Sequence, residues 1–433
     1  MTAAMPLRVA VVARAVMPLH GVGGLERSVR DLVRHLARRG VRVTLITPPP
    51  TVQAAITPAD FLNPLIELVH VPYLTFPLAN RKGTTILDRS SAYLLFGLRA
   101  GRAALALVKR GEVNVVHGFG ASVLGYALAR SSAAAPLVFN PQGLEEFGAT
   151  APSQALLKRI GYAPLRSAVR TITRAADCVL ATDAALEPTV IRHLHPSPDR
   201  VRVVPNGIDM DETVAMASPI EGAATRRQHG IGTGEFLFLS VGRLEANKGL
   251  DVMAQALAVA SGAERSLMST VWRWAIVGVG PFRRVLERRI RKLGLTDRVL
   301  FAGRAPERDL HGWYEAADLF VHPTRYEGSS LVTLEAMAHR RPVIATRAGG
   351  LPDKVKPGVT GWLVPPGDAD ALAAAIDEAV SKREALAAMG EAGADLVRRE
   401  FAWPAIANRQ IAIYEELLGA KTDVGHRFPE TSR

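Results

Sequence analysis

The stretch Leu319-Phe320-Val321-His322-Pro323-Thr324-Arg325-Tyr326-Glu327-Gly328-Ser329-Ser330-Leu331-Val332-Thr333-Leu334-Glu335-Ala336-Met337 holds a strand, a loop and a helix in 19 residues. Leu319 to His322 reads as a buried apolar strand, and Pro323 ends it. Ser329 and Ser330 open the helix and leave backbone N–H groups without intrahelical partners, an arrangement that suits a diphosphate. Glu327 lies on the loop at the carboxyl end of the strand, where open α/β sheets bind ligands. Glu335 follows about one turn into the helix. Ionised carboxylates are pure acceptors and suit hydroxyl-rich groups. The plainer alternative is a capped helix with a solvated glutamate.

Reading outward, the same strand–loop–helix unit recurs. Phe236 to Val241 is a strand that ends in Gly242-Arg243-Leu244, with Lys248-Gly249-Leu250 shortly after. Two cations beside one strand end suit phosphate oxygens. Trp274 to Val277 ends in Gly278-Val279-Gly280, which permits close backbone approach. Val299 to Phe301 and Pro342 to Ala345 are further strands, the latter followed by Gly349-Gly350. The first half alternates likewise. Its strands are Leu7 to Ala13, Val41 to Thr47, Val113 to His117, Leu137 to Asn140, Cys178 to Ala181 and Arg202 to Val204. A helix over Leu25 to Arg39 carries Val29, Leu32, Val33 and Leu36 on one face. Strands alternating with amphipathic helices imply parallel pairing. Pro205-Asn206-Gly207 punctuates the chain between the halves. The reading is therefore two tandem Rossmann-like, doubly wound α/β domains, 1–205 and 206–400, then a helix over 401–420 and a polar, disordered tail over 421–433.

The chain of 433 residues is 48% apolar and 22% charged, which fits a globular protein of two or three domains and excludes disorder, collagen and coiled coil. The lone Cys178 excludes an intramolecular disulfide and a cysteine zinc site. Met1 to Ala13 shows no signal-peptide pattern, and no run approaches the length of a membrane-spanning helix. The expectation is a cytoplasmic enzyme. The net charge is +12, and residues 1–200 carry 23 Lys and Arg against 12 Asp and Glu. That asymmetry points to an anionic partner such as a membrane surface or a phosphorylated substrate. An arginine-rich genome gives the same pattern.

The order Pro205-Asn206-Gly207-Ile208-Asp209, Gly242-Arg243-Leu244, Lys248-Gly249, Gly278-x-Gly280, Phe301-x-Gly303, Glu327-x7-Glu335, Gly349-Gly350 and Gly361-Trp362-Leu363-Val364 resembles the nucleotide-sugar half of the retaining glycosyltransferases of family four. The resemblance spans residues 200 to 370. Gly23-Gly24-Leu25-Glu26 extends it loosely into the first half, and Phe401 through Tyr414 is similar to the family's final helix. It implies a GT-B fold, two Rossmann-like domains facing across a cleft, with the last helix crossing back to the first. The first domain would bind the acceptor and the second the donor.

By position, the resemblance implies that Arg243 and Lys248 bind the diphosphate and stabilise the leaving nucleotide. Glu335 would hold the ribose hydroxyls, and Glu327 the donor sugar or the charge at its anomeric carbon. Gly328, Ser329, Ser330 and Leu331 would offer backbone N–H groups. Gly23 and Gly24 would approach the phosphate from the first domain, Gly278 would line the donor, and the main chain near Arg304 would read the base. No enzyme nucleophile, cofactor or metal is implied. Of the two Asp-x-Asp strings, Asp209-Met210-Asp211 follows the linker and Asp368-Ala369-Asp370 reads as a helix start.

The implied reaction is retaining transfer from a UDP- or GDP-sugar to a glycan, lipid-linked or small-molecule hydroxyl. A nucleotide-sugar epimerase and a degenerate sugar-binding protein are the alternatives. His117 matches a frequent family histidine and is a candidate for catalysis and acceptor binding, with His20 behind it. Gln142 stands where the family often carries another histidine, and glutamine cannot act as a base near neutral pH. Glu145 and Glu146 are candidates to face the acceptor. Lys158, Arg159, Arg166, Arg170 and Arg174, interleaved with apolar residues, form a segment suited to an anionic membrane surface, with a break or kink expected at Pro164. No motif points to nucleic acid.

Overall fold

Branched and aliphatic runs buried on both faces make parallel strands, and amphipathic helices return the chain between them. The computed structural model describes residues 6–21, 23–50, 61–72, 90–131, 134–142, 144, 147, 160–262 and 267–426. The chain divides into two compact units, Met1–Asn206 with Trp403–Arg433, and Gly207–Ala402.

The first unit holds β1 (Arg8–Val12), β2 (Arg42–Thr47), β3 (Ile66–His70), β4 (Val115–Phe119), β5 (Leu137–Asn140), β6 (Cys178–Ala181) and β7 (Val201–Val203). They form one parallel sheet in the order β3-β2-β1-β4-β5-β6-β7. Its helices are α1 (Gly24–Ala37), α2 (Ala92–Lys109), α3 (Leu124–Ala129), α4 (Ala163–Ala175), α5 (Glu187–Leu194) and α15 (Trp403–His426). α1 buries Val29, Leu32, Val33 and Leu36, with Glu26 in its first turn and Arg34 and His35 in its last, matching the helix dipole. β3 was not evident in sequence: it is a short, partly exposed edge strand with a charged residue within it.

α15 completes this unit. Trp403, Ile406, Ile413 and Tyr414 share one buried cluster with Val29 and Leu36 of α1. Full burial of each large apolar side chain contributes about 1.5–3 kcal/mol. Arg39 donates to Asn408 Oδ1 at 2.7 Å and to the Pro404 carbonyl at 2.9 Å. The helix runs past residue 420, where the sequence placed its end. The basic segment breaks where Pro164 led one to expect: helical residues Ile160 and Gly161 end at a turn at Tyr162, and α4 starts afresh with Pro164 in its first turn, where its missing N–H costs nothing.

The second unit holds β8 (Phe236–Val241), β9 (Trp272–Val277), β10 (Val299–Gly303), β11 (Leu319–His322), β12 (Val343–Thr346) and β13 (Gly361–Val364), all parallel, in the order β10-β9-β8-β11-β12-β13. Its helices are α6 (Met210–Ala215), α7 (Pro219–Gln228), α8 (Leu250–Ala260), α9 (Arg283–Lys292), α10 (Glu307–Ala316), α11 (Leu331–Ala338), α12 (Leu351–Lys354), α13 (Ala369–Ser381) and α14 (Leu386–Leu396). Two apolar layers sandwich the sheet. Where this unit begins and ends, Ile208 N–H donates to the Phe401 carbonyl at 3.0 Å. Both sheets reverse strand order beside their first strand, between β1 and β4 and between β8 and β11.

Candidate functional site

A reversal of strand order opens a crevice at the carboxyl ends of the two strands flanking it. In the second unit those ends are Val241 of β8 and His322 of β11. Arg243 and Lys248 follow the first, Glu327 the second. Arg243, Lys248, His322 and Pro323 line one small cavity with Gly242.

The two loops are fastened together. Gly249 has φ +65°, and a Cβ there would stand 1.9 Å from the Pro323 carbonyl oxygen, so only glycine lets the chain after Lys248 pass so close. Thr324 Oγ1 donates to the Asn247 carbonyl at 3.0 Å. Arg325 makes a two-point bond with Asp251 at 2.8 and 2.7 Å. This scaffold brings Lys248 Nζ to Glu327 Oε2 at 2.7 Å.

His322 Nε2 lies 2.7 Å from the same oxygen, and Gly328 N–H donates to Glu327 Oε1 at 3.2 Å. Burial pushes the Glu327 carboxyl up, but His322 and then Lys248 outweigh it and hold it well below the carboxylate range. The site is thus a carboxylate and an ammonium ready to exchange partners with a hydroxyl-rich, anionic ligand. His322 was visible in sequence only as a strand end; its spacing to Glu327 across a turn gave no helical or strand periodicity to mark it.

The other candidates fall in several places. Arg243 is 77% exposed and pairs with Glu245 at 3.1 Å. Gly278 directly follows β9, its N–H donating to the Gly303 carbonyl at 2.7 Å. Arg304 is exposed just beyond β10, at the far edge of the sheet. Ser330 caps α11 by accepting from Thr333 N–H, and Leu331 is its first residue. Glu335 is buried in α11 and its Oε2 accepts from Tyr314 Oη at 2.8 Å. Asp209 caps α6 and Asp368 caps α13. Among the described residues no three His, Cys, Asp or Glu side chains group as metal ligands.

In the first unit, Gly23 and Gly24 form the start of α1, after β1. His20 accepts from Val16 N–H at Nδ1, and its Nε2 lies 3.1 Å from the Pro48 carbonyl, so it braces two loops. His117 lies inside β4, buried against α15, with Nδ1 2.6 Å from Tyr414 Oη. Burial lowers its pKa to about 3, which makes it a neutral core imidazole. Gln142, past β5, has φ +64°, and among the described residues its buried Nε2 has no hydrogen-bond partner. Asn140 Oδ1 accepts from its N–H at 3.0 Å. Glu145, Glu146, Lys158 and Arg159 lie outside the described residues.

Two Rossmann-like sheets in tandem, the second with paired charges at its crevice, define a GT-B glycosyltransferase. The comparisons agree. The model for glycosyl transferases group 1 matches residues 223–396, and that for glycosyltransferase family 4 matches residues 22–212. A D-inositol 3-phosphate glycosyltransferase of Thermobispora bispora is 30% identical over 415 residues, covering 92% of this chain and 90% of that protein. A GDP-mannose-dependent alpha-(1-6)-phosphatidylinositol monomannoside mannosyltransferase of Mycolicibacterium smegmatis is 31% identical over 286 residues, covering 64% of this chain and 69% of that protein. The solved sucrose-phosphate synthase of Thermosynechococcus elongatus matches with a TM-score of 0.75 at 25% identity, over 96% of this chain and 100% of that one. The chain belongs to glycosyltransferase family 4 and is an enzyme that transfers a sugar. Among the described residues no helix is long and apolar enough to cross a membrane.

Proposed function

We propose that the protein is a retaining, metal-independent glycosyltransferase that moves a sugar from a UDP- or GDP-sugar to a hydroxyl. One observation carries the reading: Lys248 and Glu327, from strands on either side of the crevice, meet at 2.7 Å. Arg243 and Lys248 neutralise the diphosphate, in the place a metal takes elsewhere. Glu327 contacts the donor sugar and offsets positive charge at its anomeric carbon. Glu335, oriented by Tyr314, takes the ribose hydroxyls. Backbone N–H groups of Gly328 to Leu331 meet sugar and phosphate, and Gly278 and the main chain at Arg304 border the nucleoside.

The bond from the anomeric carbon to the diphosphate breaks as the acceptor oxygen attaches on the same face. The acceptor's proton passes to the departing diphosphate oxygen, so no side-chain nucleophile takes part. Catalysis rests on placement and on charge already in position. Gln142 offers an amide donor to the acceptor. His117 has no step, since it is buried and neutral. The names of the relatives support a polyol or glycolipid hydroxyl as acceptor.

UDP- and GDP-sugars are screened for protection against thermal unfolding, and the hit is assayed with acceptors by NMR. The product keeps the donor's anomeric configuration, and a divalent chelator leaves turnover unchanged. An inverted product, or chelator loss restored by a divalent ion, overturns the corresponding part.

A further inference from the structure

Lys354 is fully buried, yet no step above uses it. It ends α12, and its neighbours Leu351 and Val355 are buried apolar residues. Its Nζ donates to Ser329 Oγ at 3.2 Å and lies 3.4 Å from the Gly350 carbonyl. The Phe401 ring centroid is 5.4 Å away. Ser329 belongs to the loop after β11 and Gly350 to the loop after β12, the next strand in the sheet.

The two loops touch directly. Gly350 N–H donates to the Gly328 carbonyl at 3.0 Å. Gly349 has φ +53°, and a Cβ there would stand 1.8 Å from the Glu327 carbonyl oxygen. The ammonium therefore sits behind the loop that carries Glu327. A site needing only packing would hold leucine or methionine there, because desolvating an ammonium is costly. In an apolar surround its field is weakly screened.

We propose that Lys354 is a positioning residue for the donor: by holding Ser329 it fixes the Gly328–Ser330 backbone, and it lends that loop positive charge toward a diphosphate. The inference rests on the donor site proposed above. It is tested by calorimetric titration of UDP and GDP, and of uridine and guanosine, into the full chain and into Lys354→Met, Lys354→Gln and Ser329→Ala.

Lys354→Met loses about tenfold or more in affinity for the nucleoside diphosphate, as expected for a lost charge-assisted contact. Its affinity for the nucleoside stays unchanged. Lys354→Gln, which keeps a donor for Ser329 without the charge, loses less, and it carries the test if the methionine variant does not fold. Ser329→Ala weakens diphosphate binding in the wild-type background and has a smaller effect beside Lys354→Met, since the two act as one unit. In turnover, KM for the nucleotide sugar rises more than kcat falls. Equal losses for diphosphate and nucleoside, or no loss of either, overturn the inference while leaving the donor site standing. A wild-type chain that binds neither UDP nor GDP overturns both.

Discussion

Glu327 shows what one residue's surroundings decide. Alone its carboxylate is an acid on a loop; with Lys248 and His322 on one oxygen it is a fixed anion. Lys248 has the complementary task, and the charge it meets grows as the glycosidic bond breaks. Lys248→Ala should therefore lower kcat by about tenfold or more with the fold intact; steady-state kinetics with circular dichroism checks this. Glu335→Ala should weaken nucleotide binding by about 1.5–3 kcal/mol, the worth of a hydrogen bond to a charged group. Unchanged affinity in calorimetry would remove Glu335 from the donor site. At this scale the sequence exposed Lys248 and Glu327, because each follows a strand end within a few residues. It hid Lys354 and Tyr314, whose roles depend on neighbours 25 and 21 residues away.

Among elements, most strands were legible because burial on both faces demands unbroken apolar runs. β13 was seen as Gly361-Trp362-Leu363-Val364 without being read as a strand, since four residues beginning with glycine carry little periodicity. α15 was legible as a helix, and the family resemblance already implied that it crosses back to the first unit; which residues it packs on was not legible. The Tyr414–His117 bond is a buried polar contact of that packing. Tyr414→Phe should cost about 1–3 kcal/mol, because it strands the buried imidazole nitrogen; urea unfolding measures it.

His117 also gives a pH dependence. Above pH 6.5, the ordinary histidine value, folded and unfolded chains are both neutral there. Below it the unfolded chain takes up a proton that the folded one refuses until about pH 3. Stability is therefore lost as pH falls, by up to about 1.4 kcal/mol per unit. His117→Gln should flatten that slope between pH 6.5 and 4; parallel slopes would place the titration elsewhere.

At the scale of the molecule, charge is divided unevenly. The excess of Lys and Arg lies in the first 200 residues, and Arg166, Arg170 and Arg174 line one face of α4. Each cation near an anionic bilayer contributes about 1 kcal/mol, screened by salt. The protein should sediment with phosphatidylserine vesicles at low salt, not with neutral ones, and Arg→Gln at those three positions should weaken the association. Equal binding to both lipids, or none, assigns the charge to composition. Charge counts come straight from sequence; which arginines share a face does not, because that depends on where the helix begins, and α4 begins only after the turn at Tyr162.

The first unit is sewn from two distant pieces of chain. A ribosome making this protein releases residues 1–206 long before α15 exists, so the nascent first unit waits with the face that Trp403, Ile406 and Tyr414 will cover. The second unit has all its own strands in hand before then. Although translated later, it is the part able to finish folding first.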